Sequence, residues 1–128
     1  MMMYDYIESV DDKTPRVVGE RPNEIRKVDY SLVLEGYRRC LEIDPDFVFA
    51  RFNIGNVYAK NGEIDKAIEA YTQVIRQDRE LAEAYFNRGL LYIYIGQKAQ
   101  ASADLSKAGE LGITSAYNII KRYCREEE

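Results

Sequence analysis

The side chains that most often carry out chemistry in proteins are missing from this sequence or poorly spaced in it. The chain contains no histidine, so neither a Ser-His-Asp arrangement nor imidazole ligation of a metal is available. Cys40 and Cys124 lie far apart with no CxxC spacing, which predicts two reduced thiols and no zinc site. Carboxylates such as Glu63 and Asp65 fall at predicted helix starts, where the helix dipole explains them. We therefore expect no catalytic residue, no cofactor and no metal. The alternative, that the chain is an enzyme, is disfavoured because the chain lacks the titratable groups that catalysis would need.

Composition narrows the class of partner. Lys and Arg total 18 against 22 Asp and Glu, and the resulting net charge of −4 disfavours nonspecific binding to nucleic acid or to anionic membranes. No run of 18 apolar residues exists, and the start of the chain has no secretory signal pattern. The hydrophobic share of 46% is ordinary for a folded domain. These features predict a folded cytoplasmic protein that binds neither nucleic acid nor membranes.

Residue types recur at an interval of 34 along most of the chain. The recurring pairs are Gly55 and Gly89, Tyr58 and Tyr92, Gly62 and Gly96, and Ala67 and Ala101. A helical pattern follows each glycine-closed segment, and "DYSLVLEGYRRCLEID" at 29–44 lies in the same register as the later copies. The sequence thus predicts helices near 29–43, 48–60, 64–77, 82–95, 98–110 and 115–125.

This pattern resembles the tetratricopeptide repeat (TPR) family, whose repeats combine Leu-Gly, Tyr, Ala, an aromatic residue and Pro at fixed spacing. The matching residues are Ile54-Gly55, Tyr58, Ala67 and Tyr71 in one repeat and Tyr85, Gly89, Tyr92, Ala101 and Leu105 in the next. The resemblance implies an all-α fold, a right-handed α-α superhelix (TPR solenoid). It would hold two full repeats, a partial N-terminal repeat and a C-terminal capping helix.

The repeat also divides the chain. Residues 1–28 are predicted to be an irregular N-terminal segment or a divergent partial repeat, because Pro15, Gly19 and Pro22 interrupt any continuous helix there. The remaining units are helix B of a partial repeat at 29–47, full repeats at 48–81 and 82–114, and a capping helix with an acidic tail at 115–128. We expect the chain to be the C-terminal fragment of a longer array.

Glycines inside the predicted helices indicate how the helices pack. Gly55 and Gly89 each cost a helix about 1 kcal/mol, and removing the Cβ at these positions lets the two helices of one repeat approach closely. The predicted small residues on the facing helix are Ala67 and Ala101. Close packing within each repeat would therefore offset the penalty of a helical glycine.

Two further predictions concern single positions. Gly62 and Gly96 end the first helix of each repeat and are expected in the left-handed conformation that closes a helix. Arg88 lies in the apolar segment "YFNRGLLYIYIG", where we expect its aliphatic stem to follow the helix stack while its guanidinium reaches solvent or a carboxylate.

In the family, the first helices of the repeats line a concave groove that receives extended peptides or partner helices. The corresponding positions here recur at intervals of 3, 4 and 3 residues, so each set lies on one helix face. The predicted partner-binding groove comprises Phe49, Phe52, Asn56, Glu83, Phe86, Asn87, Leu90 and Ile93. Contiguous exposed apolar surface usually marks an interaction site, although the N-terminal segment or a second copy covering this face remains an alternative.

The resemblance to the TPR family also indicates what kind of ligand the groove would bind. One TPR subclass grips chaperone tails with a carboxylate clamp, and Asn56 and Asn87 occupy two clamp-like positions, but Phe52 stands where the first lysine is expected. A more apolar ligand is therefore predicted. The sequence predicts a noncatalytic protein-protein interaction module or scaffold that binds a protein or peptide. The alternatives are a structural end-piece of a longer solenoid and a self-associating unit, hence a possible homo-oligomer.

Overall fold

A computed structural model describes residues 29–125 of the chain, and within that range the fold is entirely helical. The helices are α1 (Ser31–Ile43), α2 (Val48–Lys60), α3 (Ile64–Gln77), α4 (Ala82–Tyr94), α5 (Lys98–Glu110) and α6 (Ser115–Ile119). The first five lie within two residues of their predicted bounds, and this confirms the all-α helical repeat solenoid. The predicted segment 1–28 and the last three residues of the acidic tail lie outside the described residues.

Each helix packs against the next one along the chain, and α2 with α3 and α4 with α5 form the most extensive contacts. Ala67, Tyr71 and Leu91 form one buried cluster, to which α2, α3 and α4 contribute. A second cluster joins α4, α5 and the terminal helix. Its buried members are Phe86, Leu90, Ala101, Leu105, Ala108, Ala116 and Cys124. The core is therefore a row of interfaces between sequential helices, as expected for a repeat protein.

The helical glycines lie at the predicted close contacts. A Cβ added at Gly55 would lie 2.7 Å from Cε1 of Tyr71, and one added at Gly89 would lie 2.9 Å from Cγ of Leu105. Both distances are shorter than side chains tolerate, so glycine is needed where each repeat's two helices meet. Ala67 and Ala101 lie on the facing helices, α3 and α5, as predicted. Those alanines are fully buried, but the tyrosine and the leucine one turn later occupy the glycine gap.

One turn geometry recurs at the end of three helices. Gly62, Gly96 and Gly112 have positive φ angles of 81°, 82° and 120°. In each case the amide of the following residue donates to a carbonyl five residues back, as from Glu63 to Tyr58 at 2.9 Å. This is the helix-ending arrangement that favours glycine, and the left-handed conformation predicted for Gly62 and Gly96 is confirmed.

The terminal helix differs from its prediction in one respect. The sequence predicts a single helix over 115–125, whereas α6 ends at Ile119 and continues as a π-helical turn at Ile120–Cys124. Both Ala116 and Cys124 are buried in the same cluster. A helical turn with i→i+5 hydrogen bonds is wider than an α-helical one. The wider turn thus keeps Cys124 on the face that Ala116 presents to the core.

Cys124 should react slowly in the folded protein. Burial raises the pKa of the Cys124 thiol, and the nearby charge of Lys98 lowers it to a smaller extent. Since the thiolate is the reactive species, a Cys40→Ser variant should react with an aromatic disulfide reagent roughly tenfold more slowly than the same variant in urea. Absorbance of the released thiol at mildly alkaline pH measures both rates, and equal rates would contradict burial of Cys124.

Candidate functional site

The predicted groove residues lie on two helices, α2 and α4, and they differ widely in exposure. The side chain of Phe49 is the most open, because 53% of its surface is accessible. Phe52, on the same face of α2, is half-buried, and its ring centroid lies 5.6 Å from that of Tyr71. Glu83 and Ile93 on α4 are also half-buried. These four side chains keep surface that a partner can contact.

Two other predicted groove residues are part of the core. Phe86 and Leu90 are both buried in the cluster that includes Leu105 of α5 and Cys124 of the terminal helix. Their side chains therefore pack beneath the exposed residues of α4 and leave little surface that a ligand could contact. The apolar surface on α4 is smaller than the 3-4-3 spacing implies, because the next helices cover most of it.

The two asparagines at clamp-like positions belong to a buried polar triad. The hydroxyl of Tyr71 donates to Oδ1 of Asn56, and the side-chain amide of Asn87 donates to the same oxygen at 3.1 Å. Asn87 also lies 3.4 Å from the Tyr71 hydroxyl. Both asparagines are buried. Because Asn56, Tyr71 and Asn87 come from α2, α3 and α4, the triad joins two successive repeats. The two asparagine side chains hydrogen-bond to each other within it.

Arg88 is a partly buried charge that bonds to two other helices. Its Nε and Nη2 donate to the two carboxylate oxygens of Asp104 at 2.7 and 2.8 Å, and its Nη1 donates to the hydroxyl of Thr72 at 3.0 Å. The hydrogen bonds to Asp104 raise the pKa of Arg88 above its ordinary value, against the opposing effect of burial. The guanidinium thus connects α4 to α5 of its own repeat and to α3 of the preceding one.

Asp104 was not foreseen from the sequence, although a signal for it exists. In the preceding repeat, the positions equivalent to Arg88 and Asp104 hold Ile54 and Ala70, which are both buried and apolar. An apolar pair in one repeat is thus replaced by a basic and an acidic residue in the next. Such a paired replacement is expected where two side chains touch, since a buried charge needs an opposite charge beside it.

A cleft of about 380 Å³ lies between α2 and α3, away from the predicted groove. Its lining residues are Arg51, Ile54, Tyr58, Asp65, Lys66, Glu69, Ala70 and Gln73. Arg51 is already engaged there, because its guanidinium donates to Gln77, to Gln73 and to the carbonyl of Pro45 at 2.9 to 3.1 Å. Arg51 and Gln73 are therefore engaged in contacts within the chain, and the cleft lies between the two helices of one repeat.

Two negative findings apply to residues 29–125. No group of three or more cysteine, aspartate, glutamate or histidine side chains in that range is arranged to hold a metal ion. No helix in the same range is long and apolar enough to cross a membrane.

Comparison with protein families identifies the repeat. Three family models match the chain: a TPR repeat over residues 55–96, and tetratricopeptide repeats over residues 37–69 and 82–111. Together they span residues 37–111, which is more than half of the 128 residues. The matched region contains the close-packed glycines and both complete helix pairs.

Relatives match the same region. Photosystem I assembly protein Ycf3 of Acaryochloris marina is 32% identical over 83 residues, which make up 62% of this chain and 50% of that protein. The UDP-N-acetylglucosamine--peptide N-acetylglucosaminyltransferase of Giardia intestinalis is 30% identical over 81 residues, 63% of this chain and 6% of the enzyme. The chain thus spans half the length of the first relative and a small part of the second.

A solved structure supports the same assignment. The structure of YrrB, described as a TPR protein with an unusual peptide-binding site, superposes with a TM-score of 0.64 at 29% identity, covering 71% of this chain and 48% of that one. The helix pairs, the glycine contacts and these matches agree. The chain belongs to the tetratricopeptide repeat family.

Proposed function

We propose that this chain is a noncatalytic protein-interaction module and that it binds an apolar peptide or helix on the face formed by α2 and α4. The observation that carries the proposal is the accessibility of Phe49. Its ring stands half-exposed on the same helix face as Phe52, which itself rests on Tyr71. Exposed aromatic side chains backed by a rigid core are typical of the residues that dominate binding energy at protein interfaces.

The neighbouring side chains support an apolar ligand over an anionic one. The amide groups of Asn56 and Asn87, which a carboxylate clamp would use, hydrogen-bond within the buried triad. Glu83 is half-buried on the same surface, and its negative charge disfavours an anionic ligand terminus. A ligand with an apolar anchor beside Phe49 and a donor or basic group near Glu83 fits this surface better.

The relatives are consistent with this proposal. YrrB is described as having a peptide-binding site, and Ycf3 is named as an assembly protein. Both names describe action on other polypeptides. Because the chain covers about half of each, this likeness supports the class of ligand and leaves the particular peptide to experiment.

A peptide-display experiment tests the proposal. Random twelve-residue peptides (about 10⁹ sequences) would be selected on the wild-type chain, and the enriched peptides titrated by fluorescence anisotropy against a Phe49→Glu variant. We expect at least tenfold weaker binding, because loss of an aromatic hot spot costs about 2 kcal/mol or more. Phe49 is half-exposed and is absent from both buried clusters, so helicity by circular dichroism should not change.

The matched control is Phe47→Glu. Phe47 precedes α2, is about as exposed as Phe49 and is not among the predicted groove residues. This variant should bind the selected peptides with wild-type affinity. Enriched peptides that bind Phe49→Glu as tightly as the wild type would place the site elsewhere and contradict the proposal, as would a selection that enriches no peptide.

A further inference from the structure

Helix α1 has two apolar faces, and the described residues cover one of them. Leu34, Tyr37 and Leu41 are half-buried on the side that packs against α2. The second face, here called the outer face of α1, is spaced at three- and four-residue intervals along one side of the helix. It consists of four exposed residues, Leu32, Val33, Gly36 and Ile43, and of Cys40, which is half-buried. Leu32 and Ile43, at its two ends, are 79% and 85% exposed.

Comparison with the later copies shows that this exposure is unusual for the repeat. Val33 is 45% exposed, whereas the residues 34 and 68 positions later, Ala67 and Ala101, are fully buried. In those copies the first helix of the same repeat covers the position. Among the described residues nothing takes that place over α1, and α1 contains no buried residue. Within residues 29–125, no helix covers its outer face.

Gly36 is a second, independent sign of an occupant. Gly62, Gly96 and Gly112 have positive φ angles, and Gly55, Gly89 and Gly109 lie against a side chain that fills the Cβ position. Gly36 shows neither feature, since its φ is not positive and a Cβ built on it meets no described atom within 4 Å beyond its chain neighbours and its own helix backbone. A glycine in the middle of a helix costs about 1 kcal/mol relative to alanine. A helix crossing closely over Gly36 would account for it.

The charges along the edge of the outer face are self-complementary. Glu35 and Arg39 lie on one edge, two residues before and two residues after Tyr37, and both are exposed. If a second α1 packs antiparallel on the outer face with the two-fold axis level with residue 37 along the helix, Glu35 of each copy lies opposite Arg39 of the other. The same axis brings Leu32 of one copy near Ile43 of the other. A two-fold contact requires such matching of one surface with itself.

We infer that the outer face of α1 is a self-association surface that binds a second copy of this chain through antiparallel packing of the two α1 helices. The interface crosses at Gly36, is apolar along Leu32, Val33 and Ile43, and is flanked by two symmetric Glu35–Arg39 contacts. It leaves the α2 and α4 face free, so it goes beyond the proposed peptide binding and does not depend on it.

The expected dimer is weak. A single helix face about 20 Å long buries less than the roughly 800 Å² per partner that a stable interface usually needs. We therefore expect a concentration-dependent equilibrium with a dissociation constant on the order of tens to hundreds of micromolar. Its charged contacts should make association weaker at high salt.

Sedimentation velocity on the full chain, from about 5 to about 500 µM at low salt, tests the inference with two charge variants. In a Glu35→Arg homodimer both symmetric contacts become repulsion between positive charges, and in an Arg39→Glu homodimer both become repulsion between negative charges. Each variant alone should associate about tenfold more weakly than the wild type, because two attractive contacts are replaced by repulsive ones.

Mixing the two variants gives the discriminating result. In a mixed dimer every contact again joins opposite charges, so the equimolar mixture should recover wild-type association, although each chain still lacks its own Glu35–Arg39 pair within the helix. Failure of the mixture to associate would overturn the inference, as would a dimer that neither variant weakens. A wild-type chain that stays monomeric throughout, as it would if residues 1–28 covered the outer face, would also overturn it.

Discussion

An Asp104→Ala variant should lose about 3 kcal/mol of unfolding free energy, because it leaves the guanidinium of Arg88 without its carboxylate. Breaking a buried ion pair by removing one partner typically costs 3 to 5 kcal/mol. The lower end applies here, since the Arg88 side chain retains 18% of its exposure while that of Asp104 retains 7%. Arg88→Ile should be similarly destabilising because it leaves the carboxylate unpaired. Urea unfolding followed by circular dichroism measures both changes.

The preceding repeat supplies the control for this prediction. The double variant Arg88→Ile with Asp104→Ala places the Ile54 and Ala70 pair at the equivalent positions. Its stability should lie within about 1 kcal/mol of the wild type, since an apolar pair of suitable size can replace a buried ion pair at little cost. If the two single losses simply add in the double variant, the side chains are not coupled, and the role assigned to the ion pair is wrong.

The second large effect is expected at Gly55, and its control is the same substitution at another helical glycine. Gly55→Ala places a methyl group 2.7 Å from the ring of Tyr71, which also hydrogen-bonds to Asn56 and cannot move freely. Overpacking of this kind costs about 1 to 3 kcal/mol, and alanine returns at most about 1 kcal/mol of helix propensity. We expect a net loss of about 1 to 2 kcal/mol in urea unfolding at micromolar protein concentration.

Gly36→Ala should act in the opposite direction. The added methyl group meets no described atom within 4 Å beyond its chain neighbours and its own helix backbone, so the variant should gain up to about 1 kcal/mol from helix propensity alone. Dilute protein is needed for this measurement because self-association through α1 would otherwise contribute. Equal effects of the two alanine substitutions would show that the contact at Gly55 does not constrain the helix pair.

The sequence predicts the repeat geometry well because that geometry depends on local residue types at a fixed interval. The helix bounds and the glycine-closed turns follow from this interval, and so does the need for glycine at position 55. The contact of Tyr71 with Gly55 was not predicted, because it depends on where the two helices cross. A repeat alignment shows which positions are equivalent and does not show which ones touch.

The candidate site was less predictable for a related reason. Regular spacing places Phe49, Phe52, Phe86 and Leu90 on comparable helix faces, but it does not reveal how far α5 and the terminal helix cover α4. Asn56 illustrates the same limit. Its position resembles that of a ligand-binding residue, while the side chain is bound within the protein. Which of these residues a partner contacts therefore stays a prediction until the binding experiment is done.

The hydrogen-bonded triad of Asn56, Tyr71 and Asn87 also fixes the order of the two repeats. The positions one repeat after Asn56 and Tyr71 hold Leu90 and Leu105, which could not satisfy a buried amide. If the units were exchanged in the gene, Asn53, which lies 34 positions before Asn87, would take the place of Asn87 and would meet Leu90 and Leu105, so its amide would lie in an apolar environment. The two repeats have similar backbones, but they are not interchangeable, because the positions of their buried polar side chains determine which repeat must come first.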